Sequence, residues 1–184
     1  MKWLGERGDD LPAAVRAAVA VSVPFDLEAC ATALDGPGFW PFVYRERFLR
    51  RLRRKALRKA ALHPGRIDAA AVRRSRTFSD YDGLVTARLH GFSSAQDYWR
   101  RCSSARFVGG VRRDLLLLSA DDDPLVPAHS IPEAAVRDNP AVTLEMTRGG
   151  GHVAFVSGTP IRPAFWAEER AVAFLLDRLG GAPA

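Results

Sequence analysis

Three continuous apolar runs constrain the fold of this chain more than any other feature of its sequence. They lie at residues 17–23 (AAVAVSV), 114–120 (DLLLLSA) and 141–146 (AVTLEM). Strands that are apolar along their length are typical of a parallel sheet that helices cover on both faces. A turn or loop rich in Asp, Pro or Gly follows each run. The sequence therefore predicts an α/β fold with three parallel strands.

Helices are predicted between and after these strands. Residues 131–139 can form a short crossover helix between the second and third strands. Residues 166–179 (WAEERAVAFLLDRL) predict an amphipathic closing helix, which Gly180 and Gly181 would end because glycine favours the backbone geometry of a helix C-terminus.

The stretch between the first and second strands is too long for a simple crossover. It contains predicted helices at 45–59, 68–74 and around 94–102. In α/β proteins, extra helices between strands are usually an insertion over the strand ends, where ligands bind. We therefore expect one domain over residues 1–184, with a helical insertion at about 27–110.

The net charge of +6 is concentrated in residues 45–59, where Glu46 is the single acid among many Lys and Arg residues. Such a segment is either a phosphate-binding or membrane-surface helix, or the solvated face of an amphipathic helix. The second interpretation is favoured, because apolar residues recur there at helical spacing: Phe48, Leu49, Leu52, Ala56 and Leu57. No nucleic-acid-binding motif accompanies the charge, so we expect no nucleic-acid partner.

The sequence contains neither a targeting segment nor a metal or disulfide pattern. No apolar run reaches the roughly 18 residues of a membrane-spanning helix, and the N-terminus (MKWLGE) does not resemble a signal peptide. Cys30 and Cys102 lie in no CxxC or Cys/His spacing. We expect a cytoplasmic protein with no cofactor, no metal and no stable membrane insertion.

An acidic tract follows the second strand, at residues 118–127 (LSADDDPLVP). In enzymes with a Ser-His-Asp triad, the acid accepts a hydrogen bond from a histidine ring and holds the correct tautomer. Asp123 occupies such a strand end. An Asp followed by Pro is also common in turns, so both interpretations stay open from this tract alone.

A histidine follows the third strand on a glycine-rich loop, at residues 148–155 (RGGGHVAF). Glycine tolerates the positive φ angles that a sharp loop needs, so His152 can be brought towards the acid. The acid strand precedes the histidine loop by one crossover, which is the acid-then-histidine order of this kind of triad. His63, His90 and His129 lie in other loops and follow no predicted strand.

A nucleophilic serine is harder to find. A G-x-S-x-G elbow needs a strand, a sharp turn and a helix. Residues 91–95 (GFSSA) come nearest, after residues 84–90, which could form a strand. Ala95 replaces the last glycine and the preceding segment is weakly apolar, so Ser93 is a poor candidate.

Dispersed strings along the chain resemble one family, the YheT-like or embryogenesis-associated α/β-hydrolases. The strings are KWLGE at 2–6, VSVPFDL at 21–27, TARLHGF at 86–92, DYW at 97–99, ADDDP at 120–124 and GGHV at 150–153. Their combination and order are more specific than any single motif.

The resemblance implies the C-terminal part of an α/β-hydrolase fold, comprising its last three parallel strands, and a carboxylic-ester hydrolase acting on a small ester or acyl lipid. It makes His152 the general base and Asp123 its acid, with Asp122 as the adjacent alternative. It also places the serine upstream of Met1. We therefore expect an N-terminally truncated chain that transfers no acyl group by itself.

Two other hypotheses remain. The chain could be a non-catalytic fragment whose exposed first strand pairs with a complementary N-terminal half. A basic membrane-surface or nucleic-acid module built on residues 45–59 ranks last.

Overall fold

The computed structural model describes residues 1–153, 155–159 and 161–180. It divides the chain into two compact units. The sheet unit comprises Met1–Asp26 and Ser103–Ala184, and the helical unit comprises Leu27–Cys102. That the helical unit is an insertion over the strand ends stays a prediction.

The sheet unit contains all the strands that the structure describes. These are β1 (Ala17–Val21), β2 (Asp114–Ala120), β3 (Val142–Thr147), β4 (Val156–Thr159) and β5 (Arg162–Phe165). The first three form a parallel sheet in the order β1-β2-β3, whereas β4 and β5 form an antiparallel hairpin. The predicted three-stranded parallel sheet is confirmed.

Nine α-helices are described, together with a few short 3₁₀ and π turns. They are α1 (Lys2–Arg7), α2 (Leu27–Asp35), α3 (Phe39–Leu62), α4 (Ala69–Arg74), α5 (Phe78–Tyr81), α6 (Ala87–His90), α7 (Ala95–Cys102), α8 (Glu133–Arg137) and α9 (Trp166–Leu179). The closing helix α9 has the predicted bounds and ends at Gly180, whose φ is 76°.

The packing of the central strand β2 explains why its sequence is apolar at successive positions instead of alternating. Leu115 and Leu117 point to one face, into a core that includes residues Val108, Ile131 and Val142. Leu116 and Leu118 point to the other, against Phe155 and against Ala167 and Phe174 of α9. Each of the four leucines is at most 1% exposed. Both faces of β2 are therefore core, which is the arrangement that an apolar parallel strand requires.

An ion pair joins the edge strand β3 to α9. Arg170 donates to both carboxylate oxygens of Glu145, with nitrogen–oxygen distances of 2.6–3.0 Å. Because the two groups meet through several hydrogen bonds, the pair orients α9 along the sheet as well as attracting it.

In the helical unit, α3 buries a stripe and exposes the rest. Leu49 and Ala56 pack with Val72, Tyr81 and Val85, as the helical spacing predicts. Phe48, expected to pack inward, is 37% exposed. Apart from that residue, the interpretation of an amphipathic helix with a solvated basic face agrees with the structure.

Residues 84–90, which could have formed a strand judged from sequence alone, do not form one. The segment is a π turn (Asp82–Thr86) followed by α6. A capping box between Thr77 and Asp80 starts helix α5 immediately before it. Tyr81 and Val85 are then buried four residues apart, which is a helical rather than an alternating pattern.

Asp82 ties this segment to α7. Its carboxylate accepts from the Trp99 indole N–H at 2.8 Å and from the Thr86 hydroxyl at 2.8 Å. Burial nevertheless raises the pKa of Asp82, and these two hydrogen bonds oppose that rise.

The described residues contain no helix long and apolar enough to cross a membrane. Across the same residues, no group of three or more His, Cys, Asp or Glu side chains could hold a metal ion. Cys30 and Cys102 are free thiols.

The contact between α1 and the 3₁₀ turn at Ala105–Gly110 yields a testable prediction. A Cβ at Gly110 would lie 2.3 Å from the carbonyl oxygen of Gly5, whereas a Cβ at Gly109 would meet nothing within 4 Å. Gly110→Ala should therefore lower the free energy of unfolding by about 1–3 kcal/mol, because two backbones must separate. Urea denaturation of Gly110→Ala and of the matched control Gly109→Ala measures this. Equal stability of the two variants would show that the contact is looser than described.

Candidate active site

The acid and histidine candidates follow neighbouring strands. Asp123 lies just after β2, and His152 lies on the loop after β3. Because β2 and β3 are parallel and adjacent, their carboxyl ends lie at the same edge of the sheet, where α/β proteins bind ligands.

Asp123 is held by the backbone that follows it. Its side chain is 2% exposed, and Oδ1 accepts from the N–H groups of Leu125 at 2.8 Å and Val126 at 3.1 Å. The turn after Asp123 therefore fixes this carboxylate, and the role of Asp123 as a triad acid stays a prediction. The second oxygen, Oδ2, faces the histidine.

The imidazole of His152 meets this carboxylate through one ring nitrogen. Nδ1 lies 2.9 Å from Oδ2 and 3.2 Å from Oδ1 of Asp123. Because a carboxylate only accepts hydrogen bonds, the neutral ring carries its proton on Nδ1 and a lone pair on Nε2. Nε2 makes no hydrogen bond within the described part of the chain, and the side chain is 33% exposed. The ring can therefore take a proton from another group.

The glycines before His152 are required by the shape of the loop. Gly149, Gly150 and Gly151 all have positive φ, at 154°, 146° and 64°. A Cβ on Gly150 would lie 2.6 Å from the ring of Phe155. Side chains at these positions would strain the backbone, so the loop that carries His152 depends on the Gly-Gly-Gly sequence.

The neighbouring carboxylate, Asp122, has a different partner. Its Oδ1 accepts from the Gly151 N–H at 2.9 Å. Asp123 therefore contacts the ring of His152, whereas Asp122 contacts the backbone of the loop. The sequence left these two residues as alternatives, and the geometry separates them.

Ser22 is a site residue that sequence reasoning missed. It directly follows β1 at a φ of 49°, is buried, and donates its backbone N–H to the carbonyl oxygen of Leu118 at 2.8 Å. Its Oγ donates to the backbone carbonyl of His152. The loop is thus held by Ser22 from β1 and by Asp122 from β2. The one available signal was a polar residue within an otherwise apolar run.

A cavity of about 250 Å³ adjoins this loop. It is lined by Thr147 at the end of β3, by Gly149 and Gly150, and by Phe155, Val156, Ser157 and Trp166. The rings of Phe155 and Trp166 lie 5.8 Å apart. The cavity therefore offers an aromatic wall beside the loop of His152.

The other candidates are not part of this arrangement. Ser93 belongs to the helical unit, where its backbone N–H donates to Asp97 at 3.2 Å at the start of α7. Since helix α6 precedes it, Ser93 is not on a strand-to-helix elbow. His63, His90 and His129 make no described hydrogen bond to a carboxylate.

Comparison with known proteins identifies relatives of the chain. Residues 4–159 match the family described as the alpha/beta hydrolase fold. "Putative esterase YheT" of Escherichia coli is 39% identical over 169 residues, covering 91% of this chain and 48% of that protein. "Embryogenesis-associated protein EMB8" of Picea glauca is 31% identical over 162 residues, covering 86% and 35%. "Monoacylglycerol lipase" of Saccharomyces cerevisiae is 30% identical over 157 residues, covering 82% and 34%.

The chain spans about half the length of the first of these relatives and a smaller share of the others. No solved structure matches it significantly. The resemblance to YheT-like and embryogenesis-associated hydrolases that the sequence strings indicated is confirmed.

The Asp123–His152 pair predicts a change of tautomer. In Asp123→Asn, the amide oxygen would still accept from the backbone at 125 and 126, so the amide NH₂ would face Nδ1. The neutral ring of His152 should then shift its proton to Nε2, because Nδ1 must accept instead of donate. Long-range ¹H–¹⁵N NMR of the histidine rings distinguishes the two tautomers. Asp121→Asn, in the same acidic tract, should leave the ring unchanged, and an unchanged ring in Asp123→Asn would refute the described contact.

Proposed function

This chain belongs to the α/β-hydrolase fold family, and on that premise we propose that Asp123 and His152 are the acid and general base of a triad that cleaves carboxylic esters. Membership of a fold family does not define a reaction, so the function has to be argued from the site. The observation that carries the proposal is the 2.9 Å contact between Asp123 and His152 Nδ1, with Nε2 left to accept a proton.

In the proposed reaction, Nε2 of His152 takes the proton of a serine hydroxyl while the serine oxygen attacks the ester carbonyl. The protonated ring then gives this proton to the departing alcohol, which leaves an acyl-serine. Water, deprotonated by the same nitrogen, attacks the acyl-serine; the ring then returns this proton to the departing serine oxygen, and the carboxylic acid is released. Asp123 holds the Nδ1–H tautomer and stabilises the imidazolium that forms in each step.

The serine is the group that the described residues do not present. No hydroxyl or thiol among them donates to Nε2, and Ser22 donates instead to the backbone carbonyl of His152. We propose that residues outside this sequence supply the nucleophile and the oxyanion donors. The 184-residue chain should therefore transfer no acyl group when studied alone.

The relatives and the cavity support the proposed substrate class. One relative is named as an esterase and another as a monoacylglycerol lipase. The cavity beside the histidine loop has Phe155, Val156 and Trp166 in its wall, which suits an apolar group. We propose a small ester or an acyl lipid as substrate.

The open edge of β1 supports an alternative, in which the chain acts as a partner-binding module. Among the described strands, β1 pairs with β2 alone, and each of its residues is partly exposed. Its free edge offers backbone N–H and C=O groups to another strand. The partner would be a complementary half of a hydrolase, and binding without hydrolysis would favour this alternative.

A fusion protein tests the proposed hydrolase. The part of the Escherichia coli relative that the match leaves uncovered would be joined to this chain, and hydrolysis of p-nitrophenyl butyrate measured. Asp123→Asn should lower kcat on the order of 10⁴-fold, and His152→Gln by at least as much, because each removes a member of the triad. Asp121→Asn is the matched control and should keep full activity.

Two results would contradict the proposal. One is a folded fusion that hydrolyses no ester, and the other is a fusion whose activity survives His152→Gln. Hydrolysis by the unfused chain that His152→Gln abolishes would instead show that the chain contains its own nucleophile.

A further inference from the structure

The outward side of α3 is exposed along the whole helix. Six residues share this side because they recur after 7, 4, 3, 4 and 4 positions, which keeps them on one stripe of a helix with 3.6 residues per turn. We call this stripe the outer face: Trp40, Arg47, Arg51, Arg54, Arg58 and Leu62. All six are exposed. We propose that the outer face docks on a membrane surface that contains anionic lipids.

The outer face has a positive charge that the protein does not neutralise. In the part of the chain that the structure describes, none of its four arginines forms an ion pair. Glu46, the single acid of α3, pairs instead with Arg53 at 3.4 Å. Four guanidinium groups therefore lie along about three turns of helix with no carboxylate partner. Lipid phosphates and carboxylates supply the complementary charge.

Exposed apolar side chains lie at both ends of the arginine stripe. Trp40 is 63% exposed and contacts Phe39, which is 69% exposed, with ring centroids 5.3 Å apart. Phe42, one turn from Phe39, is 52% exposed. Leu62, at the C-terminal end of α3, is 74% exposed. Tryptophan and phenylalanine prefer the interface between lipid headgroups and acyl chains, so this pattern suits shallow insertion at the helix ends.

The arrangement of aromatic residues favours a membrane over a nucleic acid. A single-stranded nucleic acid is bound by aromatic side chains spaced along a basic groove, where successive bases stack. On the outer face, the one aromatic residue, Trp40, lies at one end and the arginines form a separate block. Phe48 lies beside this face and packs its ring against Phe78. This separation of aromatic and charged side chains suits a membrane surface, where a charged headgroup layer lies over an apolar acyl-chain layer.

Docking on this surface would leave the helical unit intact. The opposite side of α3 is fixed in a core by Leu49 and Ala56, which are 0% and 5% exposed. The helix therefore has no need to leave the unit to reach a lipid surface. The proposed contact is peripheral, with side chains in the headgroup layer.

Sedimentation with lipid vesicles tests the proposal on the unmodified 184-residue chain. The chain should bind vesicles of phosphatidylcholine containing about a third phosphatidylserine, and should not bind pure phosphatidylcholine. Binding should weaken as salt is added, because charges at a surface are screened. Replacing all four outer-face arginines with glutamine should lower affinity by about six-hundredfold, at roughly fivefold per cation.

A second quadruple variant controls for net charge. Arg7, Arg16, Arg73 and Arg88 are also exposed, and replacing them with glutamine removes the same charge from other surfaces. This variant should bind anionic vesicles nearly as well as the natural chain.

Trp40→Ala should weaken binding to anionic vesicles about tenfold. The salt dependence of binding should be retained, since this substitution removes apolar contact alone. Circular dichroism and melting temperature confirm that each variant is folded.

Three results would overturn the proposal. The first is no binding to anionic vesicles at low salt, and the second is an equal loss of affinity in the two quadruple variants. The third is tighter binding to single-stranded DNA than to anionic vesicles, with the outer-face arginines required, which would identify a nucleic-acid surface.

Discussion

Burial of β2 on both faces is the constraint on which the sheet unit depends. Each of the four consecutive leucines that fill these faces contributes on the order of 1.5–3 kcal/mol when fully buried. Since these leucines serve opposite faces in turn, a slip of one residue in register would exchange the two cores. The two buried faces therefore fix the register in which β1 and β3 pair with β2. This register sets where each strand ends along the sheet.

The site depends directly on that register. Asp123 and His152 are 29 residues apart in sequence, yet their strands end side by side. Local contacts then set the final geometry, because the turn after Asp123 fixes its carboxylate while Ser22 and Asp122 hold the loop of His152. The geometry of the Asp123–His152 pair therefore depends on hydrogen bonds between side chains and backbone groups of the turn and the loop.

Those elements of the fold that have a strong pattern of apolar residues were predictable from the sequence. The strand β2 and the helix α9 have the predicted bounds, since one is a pure apolar run and the other is amphipathic over 14 residues. The hairpin of β4 and β5 was not predicted, because its strands have four residues each and are almost entirely exposed. Such strands show no apolar pattern. Residues 84–90 do not form a strand, because Tyr81 and Val85 are buried in one cluster at helical spacing.

The site, too, was predictable from the sequence only in part. Asp123 and His152 could be proposed because strand ends and glycine loops are visible in a sequence. Choosing between Asp122 and Asp123 needed the direction of each carboxylate, which adjacent identical residues do not reveal. Ser22 was missed because its role depends on a loop 130 residues away.

In the proposed hydrolase, His152 is oriented by Asp123 and acts on a serine that another segment supplies. A crystal structure of the fusion protein with a phosphonate ester bound tests it most directly. We expect a phosphonate joined to a serine of the added segment, with His152 Nε2 within about 3 Å of the serine oxygen and Nδ1 in contact with Asp123. A phosphonylated residue beyond reach of His152, or one served by a different histidine, would contradict it.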